Sequence, residues 1–208
     1  MKILAASDTH NDKKLIRELA GKAEKEKVDI VILCGDITFM ESDLEGILGP
    51  FRKKGKKVLV VPGNHESVAS VDFLVELYGK DECKNMHGYS IVMKDKKGEK
   101  IGFFGCGSAD IGPFSYDDKK IEDVLRGAGK KVSKVKRKIM ITHVPPYDSG
   151  VDKVGVSNTG SRGVRKVITE LKPELCLCGH IHETAGKQSK IGKTKIINVG
   201  KKGTIIKV

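Results

Sequence analysis

Five short polar clusters stand where apolar runs end: Asp8-Thr9-His10, Gly35-Asp36, Gly63-Asn64-His65-Glu66, Thr142-His143 and Gly179-His180-Ile181-His182. Five of the six histidines of the chain fall inside them. Apolar runs of this length build strands, and in open α/β sheets chemistry gathers at the carboxyl ends of strands. Carboxylates and imidazoles delivered there, strand after strand, are the donors that hard and borderline divalent cations require. Two adjacent cations need several such donors each, with one carboxylate bridging them at a separation of roughly 3.5–4 Å. The chain offers Asp8, His10, Asp36, Asn64, His143, His180 and His182 for that purpose, and leaves His65 over beside Asn64. Gly35, Gly63 and Gly179 each precede a candidate ligand, where a residue without Cβ lets the backbone come close and aim the next side chain into a shared cleft. If the backbone of His180-Ile181-His182 is extended, its two imidazoles point to one side.

The elements that must position these residues alternate. Strand 2–7 leads into a helix near 12–26, on which Leu15, Ile16, Leu19, Ala20 and Ala23 recur at helical spacing. Strand 28–34 is nearly all apolar, as a strand covered on both faces should be. A helix near 42–54, strand 57–61 and a helix near 67–78 complete a βαβαβα run, the signature of a parallel sheet. A hairpin over 89–94 and 100–105, a helix near 117–128 and strand 137–142 follow. The long loop 144–160 comes next, then a helix near 161–171, strand 174–178 and short strands near 186–191, 194–198 and 203–207. The antiparallel strands of the second half exceed what the first sheet can absorb, so two packed sheets flanked by helices are expected. Candidate ligands run from Asp8 to His182, which makes residues 1–208 a single domain on this reading.

At 208 residues a chain can bury roughly 70% of its extended surface and needs no staple. The five cysteines contain no CxxC pair, which excludes zinc-ribbon and thioredoxin readings; they are expected to be small buried hydrophobes. No apolar run is long enough to span a membrane. The N-terminal stretch runs straight into Asp8 and His10, so it reads as a strand rather than a signal peptide, and a cytoplasmic location is expected. The net charge of +12 would attract anions or nucleic acid. The basic tracts near 52–57, 94–100 and 130–138 are dispersed and lack interleaved aromatics, so a solvated surface is preferred over a nucleic-acid interface. Dinucleotide, nucleophile-elbow and Walker A patterns are absent. His87 lies outside every cluster and reads as structural, and Glu66 as a first-turn helix residue rather than a ligand.

The ordered set Asp-x-His, Gly-Asp, Gly-Asn-His-Glu, His and Gly-His-x-His resembles that of the calcineurin-like metallophosphoesterases. Thr142 to Tyr147, Gly160-Ser161-Arg162 and Leu177 to Glu183 look like the small Icc-like members. The resemblance implies a four-layer α-β-β-α sandwich of two mixed sheets, the metallo-dependent phosphatase fold. It also implies a dinuclear centre: Asp8, His10, Asp36 and His182 on one metal, Asp36, Asn64, His143 and His180 on the other, with Asp36 bridging. His65 would be catalytic, facing the substrate and not a metal. The activity implied is hydrolysis of a small phosphodiester by a metal-activated hydroxide, with a nuclease or nucleotide-processing enzyme as the alternative. A non-catalytic module of this fold is disfavoured because no ligand position is replaced. Mixed N/O donors admit Mn, Fe, Ni, Co or Zn, with Mn preferred. Loops 107–116 and 144–162 are expected to shape specificity, and Ser161 to cap a helix whose N-terminus, with Arg162, would face an anion.

Overall fold

A computed structural model describes residues 1–208. In chain order the elements are β1 (Lys2–Ala6), α1 (Lys13–Lys25), β2 (Ile30–Cys34), α2 (Gly49–Lys53), β3 (Lys57–Val61), α3 (Val68–Tyr78), β4 (Cys83–Asn85), β5 (Ser90–Lys94) and β6 (Lys100–Cys106). There follow α4 (Asp118–Lys130), β7 (Arg137–Thr142), β8 (Lys153–Val154), β9 (Ser157–Asn158), α5 (Arg162–Leu171), β10 (Leu175–Cys178), a 3₁₀ turn (His182–Thr184), β11 (Gln188–Ile191), β12 (Thr194–Asn198) and β13 (Thr204–Lys207).

Two mixed sheets result. The first has the order β13-β1-β2-β3-β4, parallel except for β13. The second has the order β11-β12-β10-β7-β6-β5, parallel except for the two edge strands. The period-2 alternation of the strands decides the layering. Ile3, Ile32, Leu59, Phe103, Ile139 and Leu177 face into a core between the sheets. The residues beside them in sequence turn outward: Leu4, Val31 and Val60 pack with Ile16, Leu19, Phe51 and Leu74 of α1–α3, while Phe104, Met140 and Cys176 pack with Leu125 of α4 and Val164 and Ile168 of α5. Three stacked cores give the α-β-β-α sandwich. Each fully buried Leu, Ile or Phe contributes about 1.5–3 kcal/mol, which is why strands apolar on both faces are stable only here, between layers.

The cysteines are all free and buried within these cores. Burial pushes the Cys176 thiol up to about 12, so it carries no thiolate at neutral pH. Residues of all three basic tracts are paired across the surface, Arg52 with Glu82, Lys54 with Glu24, Lys96 with Asp29, and Arg137 with Glu99 and Glu174. No helix is long and apolar enough to cross a membrane.

The expected helix over 42–54 shrinks to Gly49–Lys53. Met40, Glu41, Asp43 and Gly46 all take positive φ, so residues 40–46 form successive turns and no helix can start before them. Strand β4 is three residues long, too short for an alternation signal. Loop 144–160 has structure of its own: β8 and β9 form a small hairpin, and the buried Asp152 carboxylate accepts from the N–H groups of Asp148, Ser149, Gly150 and Gly160.

Candidate metal centre

The carboxyl ends of the parallel strands β1, β2 and β3 in one sheet, and of β7 and β10 in the other, bring their following residues together at one place. The loops that leave them are bonded to each other. Asp8 N–H donates to Gly35 O, His10 N–H to Asp36 O, and Gly179 N–H to His143 O, at 2.9–3.0 Å. Side chains then tie loops within and between the sheets: His65 N–H donates to Asp36 Oδ1 at 3.0 Å, and His180 N–H lies 3.2 Å from both Asp8 oxygens. Asp8, His10, Asp36 and His180 all have φ between 42° and 67°. Four chemistry-bearing L-residues in left-handed backbone store strain of about 1 kcal/mol or more each, and such strain persists only where surrounding bonds over-determine it. Gly63 is required because a Cβ there would overlap the Asp36 carboxylate, and Gly35 because its Cβ would sit 2.6 Å from His143 Nδ1.

Asp36 is the hub. Its Oδ2 lies 3.4 Å from His143 Nε2, 3.8 Å from His10 Nε2 and 3.9 Å from His65 Nε2. Asp8 Oδ1 lies 3.7 Å from His182 Nε2. Donor atoms of Asp8, His10 and His182 lie within 4.8 Å of one another, as do those of Asp36, His143 and His180, and those of His10, Asp36 and His65. Asn64 joins the second grouping, its Oδ1 3.0 Å from His143 Nε2. All seven sequence-expected ligands are thus brought together, and so is His65. Proximity alone places His65 as near to Asp36 as His10 is.

The donors fit a bound cation for a specific reason. His143 is fully buried, and its Nδ1 lies 2.8 Å from Cys34 O, so Nδ1 carries hydrogen. Nε2 then faces Asn64 Oδ1 and Asp36 Oδ2, both acceptors, and something positive must sit there. In the protein alone a proton serves: burial works against the charge, but Asp36 outweighs burial and pushes His143 up to about 9. Burial likewise opposes ionisation of Asp36, yet His143, His65 and His10 hold its carboxyl well below the usual range. Burial brings His180 down to about 4, leaving it a neutral ligand. His10 Nδ1 and His65 Nδ1 are buried without a partner. No cysteine enters any grouping.

The two imidazoles of His180-Ile181-His182 fall in neighbouring donor groupings, but not by extended backbone: His180 is left-handed and His182 opens the 3₁₀ turn. Ser161 does cap α5, its Oγ accepting from Val164 N at 3.0 Å. The α5 N-terminus is nevertheless taken, because Asp118 Oδ2 accepts from Arg162 N and Oδ1 from Gly163 N. Arg162 itself lies over the Tyr147 ring at 3.8 Å. An intrinsic carboxylate occupies the place expected for an anion. Loop 107–116 does border the centre, with Gly112 against Asn64 and Phe114 N–H donating to Asn64 O at 3.4 Å. His87 sits outside the centre and is structural, its Nδ1 accepting from Gly107 N at 3.1 Å.

Glu66 was underrated by sequence reasoning. It is not in a helix, since Ser67 is the N-cap of α3. It is 1% exposed, and its carboxylate accepts from Ile37 N, Thr38 N, Thr38 Oγ1 and Gly63 N at 2.7–3.2 Å. It ties the loop of Asp36 to the loop of Asn64. The available signal was a carboxylate directly after a Gly-Asn-His turn. Glu66→Gln places an amide N–H against backbone donors and is expected to lower stability by about 2 kcal/mol, read as a shift in the urea midpoint at unchanged m-value.

The model of the calcineurin-like phosphoesterase family matches residues 1–184. An uncharacterized protein of Methanocaldococcus jannaschii, MJ1162, is 30% identical over 99% of this chain and 91% of its own length. Among solved structures, TT1561 of Thermus thermophilus is similar at a TM-score of 0.74 and 18% identity, covering 96% of this chain and 88% of that one. A structure described as that of a novel archaeal phosphodiesterase is similar at 0.54 and 16%, covering 96% and 84%. With the fold, the ordered clusters and the family match in agreement, the chain belongs to the calcineurin-like phosphoesterases, metal-dependent hydrolases of phosphoric esters.

Proposed function

We propose that the protein is a phosphodiesterase that holds two divalent cations and hydrolyses a small phosphodiester. The observation that carries the dinuclear reading is the placement of Asp36 Oδ2, within 4 Å of imidazole nitrogens from both sides of the centre. Asp8, His10, Asp36 and His182 would hold one cation, and Asp36, Asn64, His143 and His180 the other. Mixed oxygen and imidazole donors without thiolate admit Mn, Fe, Co, Ni or Zn. Cations bound there supply Lewis-acid activation of water and neutralise phosphoryl charge.

The protein's own residues do the rest. Asp36 would be the shared carboxylate, with Oδ1 held by His65 N–H and Oδ2 turned toward His143 and His10. His143 is oriented by Cys34 O, which selects the tautomer that presents Nε2. His65 is assigned to the leaving oxygen, delivering a hydrogen bond or proton from its imidazole. A diester is favoured over a monoester by charge: the side chains that face Asp8 and Asp36 are histidines, and no lysine or arginine pairs with either carboxylate. A terminal dianion would find no lysine or arginine there, whereas a diester brings one charge.

The test is a screen of the protein reconstituted with Mn, Fe, Co, Ni or Zn, comparing bis-p-nitrophenyl phosphate, p-nitrophenyl phosphate and cyclic nucleotides. The diester is expected to give the higher kcat/KM, by roughly tenfold or more. A clear monoester preference would overturn the assignment.

A further inference from the structure

Residues 39–42 form a turn that sequence reasoning placed at the edge of a helix. Ser42 N–H donates to Phe39 O at 3.1 Å, and both central residues are left-handed, Met40 at φ 54° and Glu41 at φ 59°. That is the geometry of a type I′ turn, which normally requires Asn or Gly. Here Met and Glu adopt it, against the steric preference of L-residues. The turn is held from both sides. Glu41 Oε1 accepts from Ser67 N at 2.7 Å and Ser70 Oγ at 2.6 Å, at the start of α3. The Asn11 amide donates to Ser42 O.

What this anchored turn presents is the ring of Phe39. It lies 5.3 Å from His65, centroid to centroid, at an interplanar angle of 25°, and meets His10 edge-on at 6.3 Å. One face is stacked on the residue assigned to the leaving oxygen, yet the side chain remains 55% exposed. A large aromatic could have been buried in the core below α3. Instead, strained and pinned backbone holds it in the open above the metal centre. Strain of this kind at a site points to function.

We propose that Phe39 is a stacking platform that selects phosphoesters whose leaving group is planar and aromatic, an aryl group or a nucleobase. This rests on the assignment of His65 to the leaving oxygen: a group departing past His65 meets the free part of the ring. Stacking on a single exposed aromatic strengthens binding by roughly three- to tenfold.

The experiment uses the full chain reconstituted with Mn and three non-hydrolysable probes, phenylphosphonate, methylphosphonate and the methylenephosphonate analogue of adenosine 5′-monophosphate, titrated calorimetrically. Phe39→Ala is expected to weaken phenylphosphonate about fivefold and methylphosphonate less than twofold. Phe39→Leu, apolar but not planar, should behave like Phe39→Ala, and Phe39→Trp should restore or exceed the native affinity. If the adenosine phosphonate shares the loss, a nucleobase fits the platform; if phenylphosphonate alone does, the platform takes simple aryl groups. Equal weakening of both phosphonates would overturn the proposal, because the ring would then only support His65. Unchanged phenylphosphonate affinity in Phe39→Ala would overturn it as well. These binding readouts stand apart from turnover, so failure of the diester screen and failure of the platform are separate results.

Discussion

If the protein holds the two cations proposed, replacing Asp36 by Asn is expected to lower kcat/KM by roughly a thousandfold and to cut bound metal from two ions per chain to one or fewer. The substitution is isosteric, and the geometry explains why neither orientation of the amide works. Oδ1 accepts from His65 N–H, so an amide nitrogen there would set donor against donor. Oδ2 faces His143, His10 and His65 Nε2, so an amide nitrogen there removes the shared ligand. The loss expected for a cation that neutralises transition-state charge is several kcal/mol, and each 1.36 kcal/mol is tenfold in rate. The metal-free variant should also melt lower, because His143 loses the partner that supports its charge while remaining fully buried. Metal analysis by mass spectrometry and single-substrate kinetics read the result. A variant that retained two ions and native turnover would remove Asp36 from the bridging role.

The strands that carry the site could be read from the chain because their residues are apolar on both faces, and only a strand between two covered layers wants that. Val58-Leu59-Val60-Val61 and Ile139-Met140-Ile141 are such runs, and β3 and β7 fall where expected. The candidate donors could be picked out for the same reason, as their clusters stand where such runs end. What was not legible depends on partners remote in sequence. Nothing local announces that Glu66 would meet three backbone N–H groups from two loops, or that Asp118 would close the α5 N-terminus from 44 residues away. Residues 40–46 misled because Leu44, Ile47 and Leu48 are spaced like a helix face. Their backbone is instead fixed by left-handed turns bonded to α1 and α3. The same blindness hid Phe39, an ordinary apolar residue by type whose exposure only the fold decides.

His65→Asn separates ligation from proton delivery. Asn keeps a hydrogen-bonding group at the same place but cannot give up a proton at neutral pH. If His65 serves the leaving oxygen, the variant should keep both metal ions and lose kcat by about a hundredfold on esters with poor leaving groups. On p-nitrophenyl esters the loss should be much smaller, since p-nitrophenolate departs without protonation. That dependence on the leaving group is the signature a structural role would not produce, because a displaced metal centre would slow every ester alike. The competing assignment is concrete: His65 lies in one donor grouping with His10 and Asp36, and its Nε2 is only 0.1 Å farther from Asp36 Oδ2 than that of His10. Were it a ligand, His65→Asn would release an ion, and His10→Asn would do the same with the same loss on every substrate. Its place beneath Phe39 argues against that outcome. A ring stacked on a metal ligand would shield one face of the centre from the substrate, whereas a ring stacked on the proton donor lines the path by which the leaving group must go.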